Sequence, residues 1–232
     1  MNIRILQLIE GAKAARGLTV IIDVFRAMTM ACFFIGNGAK RVIPIGNLEL
    51  AYELKKLNPD FILVGERHGK IMPGFSWGNS PTHIEHVDFS GKTIVQTTSS
   101  GTQGIANASG ADEIITGCFV NAGAVIRYIQ KKNPAELSLV SMGWEALVPT
   151  EEDTFFAEYV RDTIIGKKPD FPAMVEVMRR TSGSRFFDPA NAESEPSRDF
   201  ELSLDLDRFN FVLCAQKPAD IPNPGVVELI KV

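Results

Sequence analysis

The chain lacks most of the features that announce a function directly. Its three cysteines, Cys32, Cys118 and Cys214, are odd in number and form no C-x-x-C pair. This argues against a zinc or disulfide framework and fits a reducing cytoplasm. No G-x-x-x-x-G-K-[ST] phosphate loop is present, and no run of Lys or Arg. The 24 basic residues are outnumbered by 28 acidic ones, for a formal net charge of −4, so nucleic acid is not the expected partner. The longest nearly apolar run, Met28 to Ile35, is far short of the ~20 residues of a membrane span. The stretch Met1-Asn2-Ile3-Arg4-Ile5-Leu6-Gln7-Leu8 alternates like a strand and lacks the plan of a secretory signal. A cytoplasmic protein without membrane attachment is expected. What is present is ordinary globular composition, 45% hydrophobic and 22% charged in 232 residues. Such a chain buries about 70–75% of its unfolded surface without covalent staples, as one domain over 1–232 or two closely packed halves.

Apolar runs of strand length alternate with helical patterns, which predicts an α/β fold with a largely parallel sheet. Strands are read near Asn2–Ile9, Thr19–Val24, Arg41–Ile45, Phe61–Val64, Thr93–Thr97, Glu113–Thr116 and Leu137–Ser141. Helices are read at Ala27–Ile35, Leu48–Leu57, Thr102–Ala108 and Asn121–Lys131. From Pro149 the pattern turns helical, with Phe156, Val160 and Ile164 in one stripe, and a second helix follows at Pro172–Arg179. Ser182–Arg198 reads as a long irregular loop of the kind that serves as a lid or binding segment. A helical turn near Leu202–Leu206 and strands at Phe211–Ala215 and Val226–Val232 complete the pattern.

Ligands of open α/β sheets bind at the carboxyl ends of the strands, so polar clusters following apolar runs carry the candidate chemistry. Asp23 and Arg26 leave the first such run together, a carboxylate for a cation and a guanidinium for an anion; an Asp–Arg pair tying down a loop is the structural alternative. Glu66 and Arg67 leave the next in the same way, within a glycine-punctuated stretch that continues to Asn79, Ser80 and Pro81. There a helix cap at Ser80 is the structural alternative. Ser99, Ser100, Gly101 and Thr102 make a hydroxyl-rich loop at a helix start, suited to an anion. Glu151, Glu152 and Asp153 open the late helix. A cap by Thr150, with Asp153 closing a capping box, competes with metal binding there, and neighbours ~100° apart on a helix do not all face one ion. His83 and His86 are read as surface residues.

These residues resemble the 2-phosphosulfolactate phosphatase (ComB-like) family. The resemblance is carried by I-D-V-F-R-A at Ile22–Ala27, G-E-R-H-G at Gly65–Gly69 running into G-F-S-W-G-N-S-P at Gly74–Pro81, the T-S-S-G-T loop Thr98–Thr102, Asn121, the Glu152-Asp153 pair, and Cys214 followed by Pro222. It implies a ComB-like α/β fold with a mixed, largely parallel sheet and helices on both faces. It also implies hydrolysis of 2-phospho-3-sulfolactate to 3-sulfolactate and phosphate, a coenzyme M biosynthesis step. Mg2+ is implied at Asp23, Glu66, Glu152 and Asp153. Arg26, Arg67, Asn79, Ser80, Ser99, Ser100, Gly101, Thr102 and Asn121 are implied around the substrate. Ser76 and Ser100 depart from the family's Asp and Asn, and the loop before Glu152 carries Trp144 and Glu145 in a glycine-rich place. The expected partner is a small phosphorylated acid, with a homodimer allowed. The other function compatible with the residues is a non-catalytic anion- or nucleotide-binding α/β protein.

Overall fold

A computed structural model describes residues 1–67, 70–98, 100–223 and 225–232. In chain order it contains β1 (Asn2–Gln7), α1 (Leu8–Ala14), β2 (Gly17–Ile22), α2 (Ala27–Gly36), β3 (Arg41–Pro44), α3 (Leu48–Leu57), β4 (Ile62–Arg67), β5 (Lys70–Ile71), β6 (Thr93–Thr97), α4 (Gly101–Asn107), β7 (Ala111–Gly117), α5 (Ala122–Lys132), β8 (Glu136–Ser141), α6 (Glu151–Ile164), α7 (Phe171–Arg180), α8 (Ser197–Ser203), β9 (Leu213–Gln216) and β10 (Glu228–Lys231). The strands form one sheet in the order β1-β8-β2-β7-β9-β10-β3-β6-β4-β5. It is mixed and mostly parallel, as expected. Two parallel groups, β1-β8-β2-β7 and β3-β6-β4, are joined by antiparallel steps through β9 and β10.

The apolar run Leu18–Ile22 follows from burial on both faces of the sheet. Side chains alternate along a strand: Ile21 lies against Gly104 of α4, while its neighbour Val20 lies with Phe156 of α6 around Gly117. The stripe on α6 is real, with Phe156 and Val160 fully buried. Phe119 meets the Phe156 ring edge-on at 5.3 Å, and burial of such a ring contributes about 1.5–3 kcal/mol. Local signals set several boundaries. Asn47 Oδ1 accepts from the amides of Glu49 and Leu50 to start α3, and Asn133, left-handed at φ 43°, stops α5.

The first strand differs from the expectation. It ends at Gln7, and Leu8–Ala14 folds as a short helix that turns back on the strand, with Gly11 so close to Leu6 that a Cβ there would come within 3.0 Å of it. The strand at Ile62 runs on through Arg67 and pairs with the unforeseen β5. The helical turn expected near Leu202 is α8, which starts earlier, directly after Pro196. The cysteines are all free, yet the fold brings the buried thiols of Cys32 and Cys118 within 3.9 Å. Among the described residues no helix is long and apolar enough to cross a membrane.

The two parallel groups run in opposite directions along the ladder, since three antiparallel steps separate β7 from β3. Even so, their carboxyl ends meet: the Gly101 amide, just after β6, donates to Asp23 Oδ2, just after β2, at 2.8 Å. The sheet is therefore curled so that both sets of strand ends open onto one place.

Candidate active site

That place is built around Asp23. Its Oδ1 accepts from the Ala27 amide at 2.9 Å and its Oδ2 from Gly101, so one carboxylate binds the first turns of α2 and α4. Position 101 has to be glycine for this: a Cβ there would come within 2.8 Å of Asp23 Oδ2 and 2.7 Å of Met28. Burial raises the Asp23 pKa, against the two amide hydrogen bonds and the nearby charges of Arg185 and Arg26. Asp153 lies alongside, buried, with Oδ1 accepting from the Val24 amide and Oδ2 from the Gly143 amide, both at 2.8 Å. Its pKa is pushed well up by burial and by the negative charges of Glu152 and Asp23. Glu152 is also buried, which raises its pKa, and its Oε2 has no hydrogen-bond partner among the described residues. The capping box therefore does not form. Thr150 holds the N-cap position, but its hydroxyl caps nothing, and the Asp153 carboxylate is taken by the amides of the β2 and β8 loops instead of reaching back to the cap.

Two arginines stand over these acids. Arg26, 4% exposed, donates through Nη1 to Asp199 Oδ2 at 2.6 Å and to the Ser194 carbonyl at 2.7 Å. Asp199 is a hub that no sequence motif signals: its Oδ1 accepts from the Ser80 hydroxyl and from the Thr82 hydroxyl and amide. Ser80 thus does not cap the 3-10 turn Pro81–Ile84; its hydroxyl is spent on α8. Arg185 comes from the 182–198 segment, which forms two 3-10 turns, Ser184–Phe187 and Pro189–Asn191. It donates to Glu195 and, at 3.3 Å, to the Phe25 carbonyl. Burial lowers its pKa, opposed by the charge of Glu195.

A cavity of about 510 Å3 opens between these groups. Of the sequence-predicted residues, Asp23, Arg26, Glu66, Asn79 and Ser100 line it. Ser80 lines an adjoining hollow of about 450 Å3 that shares Arg26, Glu66 and Asn79 with the first. Glu152 and Asp153 lie behind the wall. Other expected residues are held elsewhere. Arg67, opposite Glu66 in strand alternation, donates to Thr97 Oγ1 and to the Glu66 carbonyl. The Thr102 hydroxyl donates to the Thr98 carbonyl. Asn121 is fully buried, accepting from the Cys118 amide and donating to the Phe211 carbonyl. The anion cradle expected before α4 already holds an anion of the protein itself, Asp23. Ser99, and His68 and Gly69 of the glycine-rich motif, lie outside the described residues. The remaining wall comes from Phe25, Thr98, Gly143, Trp144, Glu145, Arg185, Asn191, Ser194 and Glu195.

The family described as 2-phosphosulpholactate phosphatase matches residues 3–217. The chain belongs to this family. A protein named "Probable 2-phosphosulfolactate phosphatase" from Caldicellulosiruptor saccharolyticus is 38% identical over 155 residues, 65% of this chain and 64% of the relative. One of the same name from Caldanaerobacter subterraneus is 43% identical over 117 residues, 49% of this chain and 48% of the relative. A third, from Thermoplasma volcanium, is 28% identical over 195 residues, 84% of this chain and 87% of the relative. The chain thus spans about half to two thirds of the first two relatives.

Within the family frame, the cavity's charges are informative. Its lining holds four carboxylates, Asp23, Glu66, Glu145 and Glu195, against two guanidinium groups, Arg26 and Arg185. Glu152 and Asp153 add further acid behind them. No group of three or more His, Cys, Asp or Glu side chains stands ready as a metal cage among the described residues. Mg2+ does not need one: it is commonly held by one or two carboxylates, with water and substrate phosphate filling its other positions. Asp23 and Glu66 on the wall, with the unpartnered Glu152 Oε2 behind, fit that donor set. Arg185 and Glu195 were missed as individual residues, although the irregular loop carrying them was a signal.

Proposed function

We propose that the protein is a Mg2+-dependent phosphatase that hydrolyses a small, multiply anionic phosphate monoester, with 2-phospho-3-sulfolactate as the first candidate. The products would be 3-sulfolactate and phosphate, in the cytoplasm, as a step of the coenzyme M type. The observation that carries this reading is the excess of carboxylate over guanidinium around the cavity. Such a wall repels an anionic substrate unless a cation accompanies it. Asp23 and Glu66, backed by Asp153 and Glu152, would hold Mg2+, which neutralises phosphate charge and acidifies a bound water.

The chain's own residues would do the rest. Phosphoryl transfer to water forms one P–O bond and breaks the ester P–O bond, and the alcohol leaves with a proton. The proton of the attacking water would pass to a carboxylate of this cluster that the cation does not engage. Thr98 Oγ1 and Arg26 Nε are buried donors of wall residues without hydrogen-bond partners among the described residues, bonding capacity that phosphate oxygens suit. Asp199 fixes Arg26, and the 182–198 segment supplies one wall of the cavity through Arg185, Asn191, Ser194 and Glu195.

The alternative, a non-catalytic anion- or nucleotide-binding protein whose carboxylates are structural, draws support from Asp23 and Asp153, each of which accepts two backbone amides. One experiment separates the two: phosphate release from 2-phospho-3-sulfolactate, with Mg2+ and with excess EDTA. Release that stops in EDTA and returns with Mg2+ is expected. Binding without release would establish the alternative, and undiminished release in EDTA would remove the metal.

A further inference from the structure

Arg185 belongs to no motif that signals the site, yet it is the more open of the cavity's two arginines. Its side chain is 18% exposed, against 5% for Arg26. Two rings flank its guanidinium: the Trp144 ring lies 4.3 Å from the guanidinium carbon and the Phe186 ring 4.8 Å. Trp144 is placed in turn by Ser100, whose hydroxyl donates to the Gly143 carbonyl and accepts from the Ala146 amide, both at 2.8 Å. Arg26 Nη1 is spent on Asp199 and the Ser194 carbonyl. Arg185 has five N–H donors, and among the described residues it donates once to Glu195 and once, at 3.3 Å, to the Phe25 carbonyl. Glu195 is itself shared, standing 3.6 Å from Arg26 Nη2.

The cavity has a depth. Asp23 and Thr98 are 5% and 3% exposed, whereas Trp144 is 45% exposed. A phosphate held among the deep carboxylates leaves the rest of the substrate facing Arg185 and Trp144. A stacked, planar guanidinium with unused donors matches a carboxylate or sulfonate in two-point contact. We infer that Arg185 is the specificity-determining residue of this site, binding the second acidic group that the substrate carries beyond its phosphate, in place of Glu195. This assignment rests on the phosphatase reading above.

The test compares the full-length wild type, Arg185→Gln and Arg185→Lys with Mg2+ on three esters that share a secondary-alcohol core. Isopropyl phosphate has no second acid, 2-phospholactate adds a carboxylate, and 2-phospho-3-sulfolactate adds a carboxylate and a sulfonate. Loss of a charged hydrogen bond corresponds to about ten- to hundredfold, so Arg185→Gln is expected to raise KM by that factor on acid-bearing esters only. Arg185→Lys should recover part of the loss, since charge remains and the fork does not. An effect on 2-phospholactate assigns the contact to the carboxylate; an effect confined to the third ester assigns it to the sulfonate. An equal fall on all three, or a lowered melting temperature with unchanged KM, would overturn the inference. A titration of tryptophan fluorescence with 3-sulfolactate tests the same contact without turnover. If the wild type hydrolyses none of the esters, the phosphatase reading fails. The titration then decides Arg185: a response lost in Arg185→Gln supports its role, and a response retained there, or absent in the wild type, refutes it.

Discussion

Asp23 shows how one residue can carry a structural and a chemical role together. From its sequence position it is a carboxylate at a strand end, and the fold gives both its oxygens to backbone amides that start two helices. Asp23→Asn places an N–H group against one of those amides. We expect a stability loss of about 1–3 kcal/mol, the cost of an unmet buried donor, together with loss of Mg2+-dependent turnover. Thermal unfolding and phosphate release on the same preparation check this, and a variant as stable as wild type would show that the two hydrogen bonds carry little. Glu152 and Asp153 make the complementary point. They are adjacent in a helix and point in different directions, but both are buried, because α6 enters the fold with its N-terminus pushed against the loops after β2 and β8.

At the scale of elements, the 182–198 segment and α8 form a strap fastened by Asp199. This carboxylate ties Arg26, Ser80 and Thr82 together across about 120 to 170 positions of sequence. Asp199→Ala leaves the Arg26 guanidinium buried without its main partner, and breaking such a pair costs about 3–5 kcal/mol. We expect a fall of that size in chemical denaturation, and increased proteolysis within 182–198 in native conditions. Arg26→Lys, which retains the charge, should cost less; equal losses in the two variants would mean that the geometry of the guanidinium matters more than its charge.

For the whole molecule, the buried acids predict stabilisation by the ion that the proposed function requires. A cation bound only by the folded state at 100 times its dissociation constant adds ~2.7 kcal/mol, equivalent to roughly 5–10 °C in a protein of this size. Mg2+, but not an equal ionic strength of NaCl, should therefore raise the melting temperature, and the increase should vanish in Asp23→Asn. A rise of equal size in NaCl would assign it to general screening instead.

Hydrophobic periodicity was enough to give the α/β class and nearly every strand and helix, because strands buried on both faces and helices with one buried stripe leave distinct patterns, as Leu18–Ile22 and Phe156–Val160 do. It did not give α1, where seven residues with a glycine among them leave too short a pattern to separate from the preceding strand. Short contiguous motifs singled out Asp23, Arg26, Glu66, Asn79 and Ser100, and the fold brings these five to one cavity wall. The partners they find there were decided by tertiary structure alone. Arg67 turned away to Thr97 because strand alternation put it on the other side from Glu66. The capping box that competed with metal binding at Asp153 does not form, since the Val24 and Gly143 amides, distant from each other in sequence, reach the carboxylate. Arg185, Glu195 and Asp199 stayed hidden since a residue in an irregular loop has no periodicity, and its role exists only once curling of the sheet brings that loop over the strand ends.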